Sequence, residues 1–415
     1  MMFLISTLML VLVLITKISF VVTGKDIVPA GVEYASIAVL TLIIVVGVFS
    51  YIKNLRNGGV KKRLDTRNII SKLLIVFSAL FVLSSFFINF NKKAVLWDAV
   101  ALYDARAKFL MQGVGFSQMV ELSKYDPQNS YYYVLYPPYT SMLHYFWYYL
   151  GIPAPVGVIY SIFLLLLAVA VFTFTKNWLG FFAAALLTFL VISNGVIFSS
   201  SLMEYTNLPF TLQMFLGIFL LYEYLKEDTK WKLAYGIGLI VTTMWIRFLE
   251  PLWVGVILAL FVALLYKKKF SRELIYPVLM GVYGVLEYVS WQSFVTGFGN
   301  TTKIISFSFI RIIEPVIGIF TGSAFSILLF FVKSWGPILL VHLFAILLAV
   351  INRKRISFLQ LFLFFTILIY YSGLYFVSFQ SVWWDKLGDS LVRGSVFMIP
   401  ISGYIILEYL HAKKN

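Results

Sequence analysis

The sequence predicts an all-α, polytopic membrane protein of about 12 to 13 transmembrane helices, because apolar runs of roughly bilayer length recur along the whole chain. Three observations carry that expectation. The 415 residues are 61% hydrophobic and only 12% charged, with a mean hydropathy of +0.91, far outside the range of soluble domains. Apolar runs cover 2–22, 32–52, 69–90, 156–175, 178–198, 208–225, 233–245, 252–266, 274–291, 337–351, 358–377 and 396–411. Lys and Arg gather in the short loops between them, where they act as topology signals.

Taken in order, the first run lacks a basic leader and a small-residue cleavage site, and a second run follows at once, so it reads as a retained span. The next loop carries Lys53, Arg56, Lys61, Lys62, Arg63 and Arg67 against Asp65, which places it in the cytoplasm. The N-terminus is then inside, and 69–90 runs outward. The least hydrophobic stretch, 91–155, becomes a long outer loop. Within it, 136–150 begins with Pro137 and Pro138 and is crowded with Tyr and Trp, which suits a helix lying in the interface. If that helix does not cross, Lys267, Lys268, Lys269, Arg272, the Arg353–Lys354–Arg355 cluster and Lys413 and Lys414 all fall inside. The C-terminus is cytoplasmic in this scheme. Two readings remain for 294–332: either 316–332 is re-entrant or interfacial, or 304–313 also crosses and restores parity.

Composition excludes several classes of function. The net charge of +15 sits in cytoplasmic loops, so its partners are anionic lipid headgroups and not nucleic acid. The chain has no Cys, hence no thiolate nucleophile and no thiolate metal site. His144, His342 and His411 are scattered and make no metal motif.

The polar centre of the sequence is Trp97 to Leu110, WDAVALYDARAKFL, which emerges just after the 69–90 span. On a helix, Asp104 and Lys108 share a face with the acid N-terminal to the base, the favourable order for an ion pair. Asp98 falls on another face, with Ala101, Leu102, Ala105 and Phe109, flanked by Arg106 and Lys108. It is either a base or ion ligand, or the N-cap of a juxtamembrane helix. The same topology puts Glu121, Asp126, Glu204, Glu250, Glu314, Asp385 and Asp389 on the outer side, with Arg247 and Arg393 beside them. Acids gathered from separate loops onto one rim resemble the mouth of a site.

The order of these pieces resembles the GT-C glycosyltransferases, integral-membrane enzymes that use lipid-phosphate-linked sugars and include protein mannosyltransferases and aminoarabinose transferases. The likeness rests on an apolar span, then WDA with Tyr103 and Ala107-Lys108, then Tyr136-Pro137-Pro138, then a multi-span body. Glu204-Tyr205-Thr206-Asn207-Leu208-Pro209 resembles the family's Tyr-x-Asp-Leu-Pro turn, with Asn207 in place of the acid. The segment from Trp245 to Pro251, with Arg247 and Glu250, and the late Arg393 followed by Pro400 resemble its charged outer segments. The likeness divides the chain into 1–68, two extra N-terminal spans and a basic cytoplasmic loop, and 69–415, a GT-C-like domain whose 91–155 loop is extracytoplasmic and catalytic.

The resemblance implies an inverting transfer of sugar from a polyprenyl-phosphate donor to a lipid, glycan or protein acceptor, on the extracytoplasmic face of the cell membrane. In that scheme Asp98 is the base and Asp104 a second acid that orients the acceptor or an ion. Arg393 holds the phosphate, with Arg247, Arg106 and Lys108 as further cations, and Glu204, Glu250 and Tyr136 line the substrate. Some relatives use a divalent cation held by acids, so the resemblance allows one here. Two rivals stand beside it: a transporter or flippase of lipid-linked saccharide, for which Glu287 at membrane depth speaks, and an inert relative that only binds lipid-linked sugar, for which Asn207 speaks.

Overall fold

A computed structural model describes residues 1–23, 30–56, 69–92, 98–116, 118–119, 136–247, 252–268, 272–296, 323–351, 356–379 and 388–412. All regular structure among them is helical. Seven of the described helices are long and apolar enough to cross a membrane, or eight if one sharply bent pair counts as a single span. The chain is a multi-pass helical membrane protein. It divides into two compact units, Met1–Glu250 with Val278–Thr301, and Pro251–Pro277 with Thr302–Asn415.

The first unit is built around one buried helix. Helices α1 (Met2–Thr23), α2 (Ala30–Arg56) and α3 (Ile69–Asn91) precede a π-helical turn, Asp98–Asp104, which runs directly into α4 (Ala105–Met111). Then come α5 (Tyr139–Tyr149), α6 (Val158–Leu179), α7 (Phe181–Ile192), α8 (Gly195–Ser200), α9 (Asn207–Glu227) and α10 (Lys230–Ile246). Helix α9 is buried along nearly its whole length, so it is the core around which the others pack. It meets α10 at a reciprocal glycine crossing. A β carbon at Gly217 would stand 3.3 Å from the Gly236 carbonyl oxygen, and one at Gly236 would stand 3.2 Å from that of Gly217. Small residues at this crossing let the two backbones approach, the usual way for helices to associate in lipid.

The N-terminal helices are fastened to this core by aromatic and ionic contacts. Phe3 stacks on Tyr51 at 3.7 Å, and a side chain at Gly47 would run into the Tyr235 ring. Deeper in the unit, Lys17 Nζ lies 2.6 Å from Glu287 Oε2 and 2.7 Å from Ser36 Oγ, while Ser36 Oγ donates to Glu287 Oε1 at 2.6 Å. Glu287 comes from α12 (Ile275–Thr296), 270 residues along the chain from Lys17. All three side chains are buried, and Lys17 also sits 4.6 Å over the Trp245 ring. The acid that stood out at membrane depth in the sequence is therefore one half of an ion pair. At the far ends of α6, α9 and α10, Lys232 pairs with Glu223 at 2.7 Å and Trp178 donates to the same carboxylate at 3.0 Å.

In the second unit, α11 (Leu252–Lys268) packs on α15 (Phe358–Ser378), where Gly255 leaves room for Ile369. Helices α13 (Ser323–Trp335) and α14 (Pro337–Ile351) bend by 99° at Gly336, which adopts a φ of 52° that favours glycine. His342 of α14 bonds Ser402 of α17 (Met398–Ala412) at 2.7 Å. Helix α16 (Gly388–Gly394) carries Arg393.

Two elements differ from the sequence reading. The run 178–198 was expected as one span, but α6 continues to Leu179. Gly180, with a φ of 89°, then turns the chain, and Asn194 caps a separate α8 through bonds to the Val196 and Ile197 amides. The run 337–351 was expected to cross alone, and instead forms one arm of the bent pair. Residues 304–313 and 316–322 lie outside the described residues, while 323–332 fall in α13.

The Lys17–Glu287 pair generates a stability prediction. Lys17→Met strands a buried carboxylate and is expected to cost about 3–5 kcal/mol. Lys17→Met combined with Glu287→Leu removes both charges and should recover most of that loss, measured by thermal unfolding in detergent. A double variant no more stable than the single one would show that the pair is not coupled.

Candidate functional site

The site is assembled where α3 ends and the chain turns through Asp98–Asp104. A π-helical turn bonds residue i to i+5, wider than an α-helix, and such turns recur at functional sites. It brings Asp104 to the junction with α4, where the residue is buried against α5. Lys108, one turn on, reaches Asp104 Oδ2 at 2.6 Å, the pair that the spacing predicted; its side chain is 62% exposed, that of Asp104 only 7%. The hydroxyl of Tyr148 donates to Asp104 Oδ1, and His144 Nδ1 lies 3.9 Å from the same oxygen. His144 Nε2 in turn is 2.9 Å from the Tyr160 hydroxyl. The Tyr160 contact is the ring's hydrogen bond among the described residues, while Nδ1 faces the Asp104 carboxylate at a distance too long to bond it. Burial holds His144 far below the usual imidazole range, at about 4, against an opposing pull from Asp104, so the ring is neutral at pH 7.

Arg106 stitches this corner together. Its Nε donates to the Leu102 carbonyl at 3.2 Å and its Nη1 to the Tyr136 carbonyl at 3.0 Å, so a buried guanidinium ties the π-helical turn to the Tyr-Pro-Pro segment. The Tyr136 ring meets Tyr103 edge-on at 6.3 Å. Pro138 stands just before the first residue of α5, a position where its missing N–H costs nothing.

A second polar group lies behind this corner. The buried residues of α3 include Ser71, Ser78, Ser85 and Asn89, a polar stripe on an otherwise apolar span. Ser85 Oγ bonds Ser161 Oγ at 2.8 Å and Ser201 Oγ at 2.9 Å, and Asn89 Nδ2 donates to Ser161 Oγ and to the Ser201 carbonyl, both at 2.8 Å. Glu204, 2% exposed, packs beside Asn89 and Gly157. Burial raises its carboxyl above the usual range, its own backbone bond and Lys92 oppose that, and Asp104 adds to it. At the start of α9, Asn207 Oδ1 accepts from Arg247 Nη1 at 3.1 Å.

The structure therefore brings together Asp104, Lys108, Arg106, Tyr136, Glu204 and Arg247 within the first unit. Asp98 opens the π-helical turn, and its side chain lies outside the described residues, as does Glu250. Arg393 is half-buried on α16 in the second unit. Among the described residues, no three His, Cys, Asp or Glu side chains come together as metal ligands. Sequence reasoning missed Tyr148 as the partner of Asp104 and His144 as its neighbour, since their rings read only as interfacial aromatics, and it missed Tyr160, which bonds His144. It also missed Asn89, although polar residues at seven-residue intervals along 69–90 mark a buried face. Comparison with protein-family models, with curated proteins and with solved structures gives no match.

The buried imidazole makes the fold acid-sensitive. Its folded value of about 4 lies below the ordinary 6.5, so from pH 6.5 down to about 4 the unfolded chain binds a proton that the folded one refuses. Stability is expected to fall across that window, with a shallower fall in His144→Gln, read as denaturation midpoint against pH in detergent. Identical slopes would mean that His144 is not what makes the fold acid-sensitive.

Proposed function

We propose that this chain is a membrane glycosyltransferase of the GT-C kind, moving sugar from a polyprenyl-phosphate carrier to an acceptor at the extracytoplasmic surface. The observation that supports the reading best is the buried Asp104, paired with a solvent-facing ammonium, held by a phenol and faced by a neutral imidazole, in the turn that follows a span. A glycosyl acceptor must lose a proton as the anomeric carbon is attacked, and a positioned carboxylate takes it. In this reading Asp98 is that base, and Asp104 orients the acceptor hydroxyl. The departing phosphate gathers negative charge, which cations stabilise. Lys108 is exposed enough to meet it, while Arg106 shapes the corner through backbone carbonyls. Arg393 and Arg247 are the guanidinium candidates for the phosphate itself. A divalent cation held by outer acids remains compatible with this scheme.

One observation favours a transporter or flippase of lipid-linked saccharide instead. The 99° break between α13 and α14 resembles the discontinuous helices that line transport sites. Purified protein incubated with a panel of polyprenyl-phosphate sugars separates the two: hydrolysis or transfer is expected of the enzyme, and neither of a transporter.

In that assay Asp98→Asn is expected to lower turnover by about two to four orders of magnitude with insertion unchanged, the worth of a general base. Asp104→Asn still accepts from Tyr148 but cannot pair with Lys108, so it should weaken acceptor binding more than it slows turnover. Full activity of Asp98→Asn would remove that residue from the role. The orientation is tested separately. In this cysteine-free chain, single cysteines at Gln118 and Ser381 should react with an impermeant maleimide in intact cells, and one at Gly58 should not. Labelling at Gly58 would reverse the topology.

A further inference from the structure

Asn89 and Glu204 face each other in a way that neither side chain alone explains. The orientation of the Asn89 amide is fixed from one side, because the Ser201 carbonyl can only accept and so must receive Nδ2. Asn89 Oδ1 is thereby turned the other way, to lie 3.2 Å from where a β carbon on Gly157 would stand. Glu204 Oε1 lies 3.0 Å from that same point. Asn89 Oδ1 and Glu204 Oε2 are both buried, and neither has a hydrogen-bond partner among the described residues. Both side chains thus crowd the same point over Gly157, Glu204 with Oε1 and Asn89 with Oδ1, and each keeps a buried oxygen without a donor among the described residues. A buried oxygen left without a donor carries its full desolvation cost.

We infer that Glu204 is a neutral carboxylic acid whose proton is donated to Asn89 Oδ1, so that the two carboxyls of this corner divide their roles: Asp104 carries charge and Glu204 carries a proton. A proton carried on Oε2 and donated to Asn89 Oδ1 gives both orphaned oxygens a partner. The neighbourhood agrees. The groups that act on the Glu204 carboxyl are Lys92, Asp104, Tyr148 and Tyr160. Lys92 is the one cation among them, and its ammonium bonds the Leu202 carbonyl at 3.0 Å. Asp104 already has Lys108 as counter-ion, so a second anion beside it would be repelled. Carboxyl pairs whose surroundings separate them in this way mark acid and base in many sites. Use of that division in sugar transfer rests on the reading above; the protonation state does not. Glu204 is in this sense a positioning residue, holding the end of α3 against the segment that leads into α9.

Infrared spectroscopy of the full-length protein in detergent tests the assignment without any activity. Wild type at neutral pH is expected to show the carbonyl stretch of a protonated carboxyl, shifted in heavy water, and Glu204→Gln should lose that band. Because the Gln amide can donate to the same Asn89 oxygen, the variant should fold. The sign of the pH effect follows: with its folded value raised, Glu204 holds a proton the unfolded chain has released, so wild-type stability falls as pH rises through that range, and Glu204→Gln loses the slope. If Glu204→Gln does not fold, the wild-type band is followed alone, and it should fade from neutral to alkaline pH. Absence of a protonated-carboxyl band at neutral pH, or a wild-type band unchanged in Glu204→Gln, overturns the inference.

Discussion

The Lys17–Glu287 ion pair is the interaction on which the first unit depends. It joins α1 to α12 across most of the chain, with Ser36 of α2 bonded to both partners, so three helices meet at one buried charge cluster. Apolar contacts between helices are poorly selective in lipid, because an alkyl tail replaces a Leu side chain at little cost. An ammonium and a carboxylate have no such substitute. They specify which helices are neighbours, and in which register, even if their net contribution to stability is small. Trp245 bridges from this cluster toward the site, stacked under Lys17 and donating to Thr16, two residues before Arg247.

Much of the architecture was legible in residue order. Span-length apolar runs gave most helices within a few residues, and the Asp104–Lys108 pair followed from spacing alone. The parts that were not legible share a physical cause. Periodicity reports which face of a helix is apolar but says little about where a helix pauses or how sharply it turns, so the glycine turn at Gly180 was hidden inside a continuous hydrophobic run, and the angle at Gly336 had no signal in the two runs it joins. Tertiary partners were hidden for a different reason. Tyr148 and His144 lie more than thirty residues from Asp104 in sequence, and an interfacial Tyr looks the same whether its hydroxyl meets water or a carboxylate. The Ser71–Ser78–Ser85–Asn89 stripe was the signal available, and it pointed inward, to the buried network.

That network shows how the bilayer constrains a polar site at the end of a span. Each hydroxyl on α3 that leaves water must find a partner, either on its own helix, as Ser78 does at the Leu74 carbonyl, or on a neighbour. Ser85 and Asn89 do so on α6 and on the loop before α9, so the chemistry of the corner is continuous with the packing beneath it. A substitution in this stripe disturbs both at once.

The π-helical turn has a consequence for how such a chain varies over time. A π turn is an α turn holding one residue more, so the placement of Asp104 depends on how many residues separate it from α3 as well as on which they are. Losing a single residue from Asp98–Asp104 would let the wide turn tighten to an ordinary helical one and change how Asp104 is presented. Asp104 would then leave Tyr148 and His144 although no side chain of the site had changed. Length in this segment is inherited information, and gaps there matter more than substitutions.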